Sequence, residues 1–545
     1  MDTFLSMIEW QKILFGRNLN RLDLRSLALP VSLQKVRIHV YRNHAFEPVA
    51  SVMAPFLAYS GITAEFSYGS YDDTFSFTDI PDDVDILLVW ADFFHYKENI
   101  DIRKFLEDRI GVLRKRSLAD IVVVGLGADM VHQNDFSFSG CYIADVNSLR
   151  EKVGEPFYDD RLQKITATRL SNVACLEMAR WLGLSLLPPF FQPNLKAIIL
   201  DLDNTLYEGV LGEDGIDGLR LTADHFRLQK ELKGLRDRGF FLGIASKNEM
   251  EDVREMFRKR KDFPLVWEDF SATGISWESK ASNILRIAKQ LRIAPDTMLF
   301  IDDNIGEISS VTAELTGIKC IFADTSDVSG TADSLSSYPG LFKWHRTDDD
   351  SKRTADLESN AKREKLQQSL TQEEYIKRLD LQITYQVNFS GHLTRVAELG
   401  GKTNQFIFSY ARLKEQEIAK IMEEDGRDVV DFSLKDNLSD SGLIGAIITR
   451  FSRGILTVNE VFVSCRALGR GIEDTLLLEA IEILRRKYNP KEVRVCYKKG
   501  ERNMPALMWL SRIVECELEG NGYVVFPQEL FQAKNAHVSI TVIPQ

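Results

Sequence analysis

The sequence predicts a multidomain α/β protein, and three observations carry that expectation. At 545 residues the chain is too long for one hydrophobic core and calls for three or four domains. Short, wholly apolar runs alternate with helical stretches through the first 325 residues, the pattern of parallel strands covered on both faces. From about residue 376 the pattern changes: a strand and a helix over His392–Gly400 lead into three successive strands from Asp428 to Val463, as in an antiparallel meander. An apolar content of 44% with 27% charged residues fits a globular protein, and a net charge of −12 argues against general nucleic-acid binding. No apolar run is long enough to span a membrane. The first residues carry Asp2 and Glu9 and lack the basic start of a signal peptide, and the six cysteines have no CxxC spacing. A cytoplasmic protein with reduced thiols is expected.

Residues 1–190 read as the first domain. Val36–Tyr41, a segment near Thr63–Phe66, Asp85–Trp90 and Asp120–Gly125 are its strands, with helices over Glu47–Tyr59, Ile102–Arg116 and Thr166–Leu182. This is a three-layer arrangement of SGNH or flavodoxin type. Polar residues follow at Arg42-Asn43-His44 and Tyr158-Asp159-Asp160-Arg161, but an SGNH hydrolase needs a serine after the first strand and none is there. A non-catalytic docking or structural domain is expected. A Pro-containing link, Leu187–Pro193, ends it.

Residues 195–325 carry the chemistry. Ala197–Leu200 is a buried strand running into Asp201 and Asp203, a pair of carboxylates best held ionised by a divalent cation. The stretch Tyr207–Gly215 reads as a small hairpin flap. A second strand ends at Ser246, whose hydroxyl suits a phosphoryl oxygen. Lys280, opening a helix, suits a transferring phosphate, and a third strand ends at Asp302-Asp303. The order Asp-x-Asp, Ser, Lys, Asp-Asp resembles the haloacid-dehalogenase (HAD) phosphatases over the whole segment. The resemblance implies a Rossmann-like fold in which Asp201 is the nucleophile, Asp203 the general acid/base, and Ser246 and Lys280 the phosphoryl clamps. Asp302 and Asp303, with Asp201 and the Asp203 carbonyl, would complete a Mg²⁺ site. The short spacing from Asp201 to Ser246 leaves room for only a minimal cap.

Residues 326–375 are expected to form a helical linker, with a polar helix over Ala355–Leu370. Residues 376–545 then give strands at Asp380–Val387, Asp428–Leu434, Gly442–Thr449 and Ile455–Val463, followed by Arg466-Ala467-Leu468-Gly469-Arg470-Gly471 and a long helix. That loop is similar to the pyrophosphate loop of GNAT acyltransferases, where glycines let backbone amides approach a phosphate at a helix N-terminus. The resemblance implies an α+β fold with Arg466, Gly469, Arg470, Gly471 and Asn503 around a coenzyme A-like arm. Trp509-Leu510-Ser511 stands where a GNAT usually has its tyrosine acid, which puts simple amine acetylation in doubt.

The combination resembles the FkbH-like family, HAD subfamily IIIC with a GNAT-like domain. The stretches Leu200–Leu206, Gly209–Gly215, Phe300–Asn304, Lys402–Phe406 and Ser464–Glu473 carry the likeness. Tyr207 stands where the family commonly has Trp. The resemblance implies a bifunctional glyceryltransferase/phosphatase that takes D-1,3-bisphosphoglycerate, a small phosphorylated three-carbon substrate, and loads its glyceryl unit on an acyl carrier protein for polyketide assembly. Cys465, beside Arg466 and a helix N-terminus, is the expected carrier of a transient glyceryl thioester. The loop would grip the carrier's phosphopantetheine arm, chemically the arm of coenzyme A. Arg485-Arg486-Lys487, Lys491, Arg494, Lys498-Lys499 and Arg502 are candidates for docking an acidic carrier. The alternative is a phosphatase fused to an acyl-CoA-dependent acyltransferase that acts on a sugar or nucleotide-sugar in surface-glycan synthesis. A non-enzymatic scaffold with degenerate folds is a third reading.

Overall fold

The computed structural model describes residues 2–96, 100–127, 138–344, 359, 362–363, 365–531 and 538–543. The chain is a mixed α/β protein that divides into two compact units, Met1–Arg346 and Thr347–Gln545.

The first unit opens with α1 (Asp2–Phe15) and then β1 (Gln34–Arg42), β2 (Ile62–Tyr71), β3 (Ile86–Asp92), α2 (Ile102–Arg116), β4 (Asp120–Leu126), β5 (Cys141–Ala144) and α3 (Asn172–Trp181). The strands form a parallel sheet of order β2-β1-β3-β4-β5. All seven residues of β3 are buried, because the sheet is covered on both faces. Leu88, Trp90, Val122 and Val124 join the core on one face, while Leu87, Val89, Ile121 and Val123 join that on the other.

A second parallel sheet follows in the same unit. It comprises β6 (Ala197–Leu200), β7 (Phe241–Ser246), β8 (Ala272–Ile275), β9 (Met298–Asp302) and β10 (Lys319–Phe322), in the order β10-β9-β6-β7-β8. Between these strands run α4 (Leu211–Gly218), α5 (Ala223–Asp237) and α6 (Lys280–Leu291), and after them α7 (Val328–Ser337). Ile198, Leu200, Ile244 and Ile301 belong to the same apolar cluster as Leu88 and Trp90, so the two sheets share one continuous core. The Gln11 amide of α1 binds the edge strand as a backbone would: Nε2 donates to the Phe322 carbonyl at 2.8 Å and Oε1 accepts from the Phe322 amide at 3.0 Å. α7 buries Thr331, Ala332, Ser334 and Leu335, so residues 328–337 are packed core rather than linker. Of the polar helix expected over 355–370, the described residues 359, 362–363 and 365–369 are helical, and Ser359 and Arg363 are buried rather than solvated.

The second unit is built on a seven-stranded sheet: β11 (Leu381–Val387), β12 (Arg427–Lys435), β13 (Asp440–Ser452), β14 (Ile455–Val463), β15 (Glu492–Lys498), β16 (Asn521–Val525) and β17 (Val538–Ile543). Its order is β16-β15-β14-β13-β12-β11-β17. β11 to β14 form the antiparallel meander, and β14 pairs with β15 in parallel over Ile455–Val458 and Glu492–Val495 only. α8 (Leu393–Lys402), α9 (Glu415–Glu423), α10 (Glu473–Tyr488) and α11 (Met504–Val514) complete it.

Candidate active site

β6 lies between β7 and β9, so three neighbouring strands bring Asp201, Ser246 and Asp302 together at their carboxyl ends. Gly243 leaves room for the Ile199 side chain on the neighbouring strand: a Cβ there would lie 2.8 Å from Ile199 Cδ1. After Asp203 the chain turns sharply at Asn204, whose φ is 52° and whose Oδ1 accepts from the Gly209 amide at 3.0 Å.

Lys280, 3% exposed at the start of α6, joins the carboxylates. Its Nζ lies 2.6 Å from Asp201 Oδ2 and 2.8 Å from Asp302 Oδ2. Ser246 Oγ donates to the other Asp201 oxygen at 2.8 Å. Burial opposes the Lys280 charge, but Asp201 and Asp302 outweigh it and hold its pKa above the ordinary value. Burial, then the Asp201 charge, raises the Asp302 pKa, and the same causes push Asp303 up to about 6. Asp201, Asp302 and Asp303 each offer an oxygen, all within 4.8 Å of one another. One ammonium against three crowded carboxylates leaves the buried Asp302 and the half-buried Asp303 drifting towards their neutral forms. A hard divalent cation on all-oxygen ligands relieves that strain, so the donor set fits Mg²⁺.

Asp203 is placed differently. Its carboxylate stands outside the three-acid cluster, so as a metal ligand only its carbonyl remains. Oδ1 accepts from Tyr207 Oη at 2.8 Å and from the Leu211 amide at 2.9 Å, and Oδ2 from Asn248 Nδ2 at 2.8 Å. Tyr207 is fully buried, and burial followed by the Asp203 charge holds its phenol well above its ordinary pKa, as a donor. Neither Tyr207 nor Asn248 was assigned a site role from the sequence. The spacings, four residues after Asp203 and two after Ser246, were the signals. The expected hairpin flap is instead α4, kinked at Gly215, with a single bridge between Glu208 and Arg220. The chain here is too rich in glycine and acids for a paired ladder. Trp277, 69% exposed, is bonded to Glu249, and Lys247, next to Ser246, pairs with Glu307.

In the second unit the residues expected around an arm are mostly spent on the fold. Cys465 follows β14 and is half-buried. The Gly469 amide donates to Glu473 Oε1 at 2.8 Å, so the carboxylate of α10's first residue already sits where an anion would bind. Gly469 and Gly471 have φ of 79° and 71°, the conformation the loop's turn requires. The Arg470 side chain does not face the loop's exterior: it donates to Asp436 Oδ2 at 2.9 Å and Ser441 Oγ at 2.8 Å, beside Arg363 on the same carboxylate. Arg466 is likewise buried. Asn503 is wholly buried and caps main chain, donating to the Ile407 and Lys498 carbonyls at 2.9 Å each and accepting from the Gly500 amide. It is a structural residue in this geometry.

The gap where β14 and β15 diverge is also filled. The Phe408 amide donates to the Val461 carbonyl, the Val463 amide to the Phe406 carbonyl, and the Lys498 amide to the Phe408 carbonyl. Glu460 anchors this wedge by accepting from the amides of Phe408, Ser409 and Ala411 at 3.0, 2.8 and 2.6 Å. An extended, amide-bearing arm does not fit between the strands in this conformation. The basic helix end is largely neutralised by neighbours: Arg485 and Arg486 pair with Glu482, Lys487 with Asp428, and Arg494 with Glu492.

No protein-family model matches the chain, and no curated protein matches it. Among solved structures it is similar to the N-terminal part of a Bacteroides fragilis protein containing a phosphatase domain, complexed with Mg. That match has 20% identity and a TM-score of 0.44, covering 57% of this chain and 96% of that one. It is also similar to a spermidine N-acetyltransferase mutant from Vibrio cholerae (14% identity, 26% of this chain, 93% of that chain, TM-score 0.19). An aminoglycoside acetyltransferase in complex with coenzyme A is a further match (12% identity, 28% and 97%, TM-score 0.21). Among the described residues, no helix is long and apolar enough to cross a membrane.

Proposed function

We propose that the chain is a Mg²⁺-dependent HAD-type phosphatase joined to an acyl-transfer unit, working as a glyceryltransferase/phosphatase of the FkbH-like kind. The observation that carries the reading is the strand-end cluster of Asp201, Asp302 and Asp303 around the Lys280 ammonium, with Ser246 on the remaining Asp201 oxygen. Asp201 attacks the phosphorus of a phosphate ester, forming an aspartyl-phosphate as the bond to the leaving oxygen breaks. Asp203 gives its proton to that oxygen and then takes one from the water that hydrolyses the intermediate. Lys280 and Ser246 hold the phosphoryl oxygens, for which Lys280 exchanges part of its contact with the carboxylates. Bound at the three carboxylates, Mg²⁺ would supply charge neutralisation to the phosphoryl group and the nucleophile.

The second step belongs to Cys465. Its thiolate attacks the acyl carbon of 1,3-bisphosphoglycerate, a carbon–sulfur bond forms, and the acyl phosphate leaves as inorganic phosphate. The thiol of a carrier protein then takes the glyceryl group by thioester exchange, with the C3 phosphate removed at Asp201. The filled gap between β14 and β15 supports delivery of that thiol to the half-buried Cys465 from solvent rather than along an intercalated arm. It gives no added support to the acyl-CoA-dependent alternative. Incubation of the protein with 1,3-bisphosphoglycerate, Mg²⁺ and a pantetheinylated carrier, read by intact mass, tests the proposal. A glyceryl adduct on the carrier is expected, and an unmodified carrier despite phosphate release would refute the transfer half.

A further inference from the structure

Asp203 must move a proton in the phosphatase reading, and the geometry around it shows what aims it. Its Oδ1 receives two hydrogen bonds, from Tyr207 Oη and the Leu211 amide, and its Oδ2 one, from Asn248. Of these donors, Tyr207 is the one whose hydroxyl is carried by an aromatic ring packed in the core. Its ring is fully buried and stacks on Phe263, with centroids 5.9 Å apart and planes at 19°. A tyrosine has two soft torsions, and both are fixed when the ring is enclosed. The hydroxyl is thus a fixed point against which a short, otherwise rotatable carboxylate is set.

We propose that Tyr207 is a positioning residue for Asp203: its hydroxyl selects the rotamer from which Asp203 delivers and recovers the proton. The inference rests on the phosphatase reading and extends it to a residue that touches neither phosphate nor nucleophile. In the first step the Asp201–phosphorus bond forms as the phosphorus–oxygen bond to the leaving group breaks. The electron pair goes to the leaving oxygen, which takes the Asp203 proton. In the second, water bonds to phosphorus, the Asp201–phosphorus bond breaks, and the water proton goes to Asp203. Tyr207 keeps its own proton throughout.

The test is single-turnover release of the leaving group by wild-type and Tyr207→Phe full-length protein, with enzyme in excess and Mg²⁺ present. p-Nitrophenyl phosphate leaves as a stable phenolate and needs no proton, whereas glycerol phosphate leaves as an alkoxide and does. The expected result is a Tyr207→Phe rate within twofold of wild type on the first substrate and about tenfold lower on the second, with an unchanged melting temperature. Equal rates on both substrates, or an equal fall on both, would overturn the positioning role while leaving the phosphatase reading intact. Absence of release by the wild type on both substrates would overturn the phosphatase reading and this inference with it.

Discussion

Replacing Lys280 by Met removes the one ammonium that stands among three carboxylates while keeping most of the side chain's volume. The lysine is 3% exposed, with Nζ 2.6 Å from Asp201 and 2.8 Å from Asp302. Breaking a buried pair by deleting one partner costs about 3–5 kcal/mol, since the charge left behind is uncompensated. Here two partners are left, and Asp303 lies in the same cluster. Part of the cost is relieved when a carboxylate takes up a proton. Asp302 and Asp303 already have raised pKa values, and loss of the ammonium raises them further above the unfolded value. A carboxyl whose folded pKa is raised loses stability as pH climbs through the range between the unfolded and folded values. The deficit of Lys280→Met is therefore smallest near pH 5 and largest at pH 8. Urea denaturation in EDTA, followed by tryptophan fluorescence, measures it, because six of the seven tryptophans lie in the first unit. A deficit of about 3–5 kcal/mol at pH 8 is expected, shrinking at pH 5 and on addition of Mg²⁺. A deficit under about 1 kcal/mol at pH 8, or one independent of pH, would show that Lys280 does not hold these charges together.

Four further outcomes are expected. His44, stacked on Trp90 and bonded to Thr168, has its pKa lowered by burial to about 3, so the first unit loses stability as pH falls below the ordinary histidine value of 6.5. That loss is about 2 kcal/mol by pH 5, and denaturation curves of His44→Phe should lack this contribution to the slope. Glu460→Gln turns one acceptor oxygen into a donor facing backbone amides, and should cost about 2–4 kcal/mol in urea denaturation of the second unit. Cys465→Ala should abolish carrier loading while leaving phosphate-ester hydrolysis at the wild-type rate, and normal loading would remove Cys465 from the pathway. Arg470→Met should destabilise the second unit by about 1.5–3 kcal/mol, the loss of charged hydrogen bonds with Arg363 still holding Asp436, whereas a loss of ligand binding at unchanged stability would contradict its inward placement.

Much of the strand-end site was legible because strand-end chemistry is local. An apolar run that ends in Asp201 or Asp302 can only project its acid at the carboxyl edge of a buried parallel sheet, and α6 begins at Lys280 as the sequence indicates. The strands β5, β8 and β10 were missed because, unlike the equally short but wholly aliphatic β6, each is broken by a polar, small or aromatic residue. The Tyr207–Asp203 bond had only its four-residue spacing as a signal, since it depends on how the loop after Asn204 folds back rather than on residue type. In the second unit the strands β11 to β14 and the long helix were readable, yet β15, β16 and β17 and the roles of Arg470 and Asn503 were not. A loop motif fixes the backbone path, but whether a side chain points out to a ligand or in to Asp436 is settled by tertiary packing. The wedge of Phe406–Phe408 shows the same limit, because its hydrogen bonds reach residues about 50 to 90 positions away in sequence.

The most direct test of the central claim is Mg²⁺-dependent phosphate release from a three-carbon phosphate ester by wild-type protein and by Asp201→Asn. Release is expected to require Mg²⁺, the denatured wild-type protein to carry one acid-stable, hydroxylamine-labile phosphoryl group at Asp201, and Asp201→Asn to show neither property. Release that persists in Asp201→Asn, or that proceeds unchanged in EDTA, would contradict the claim.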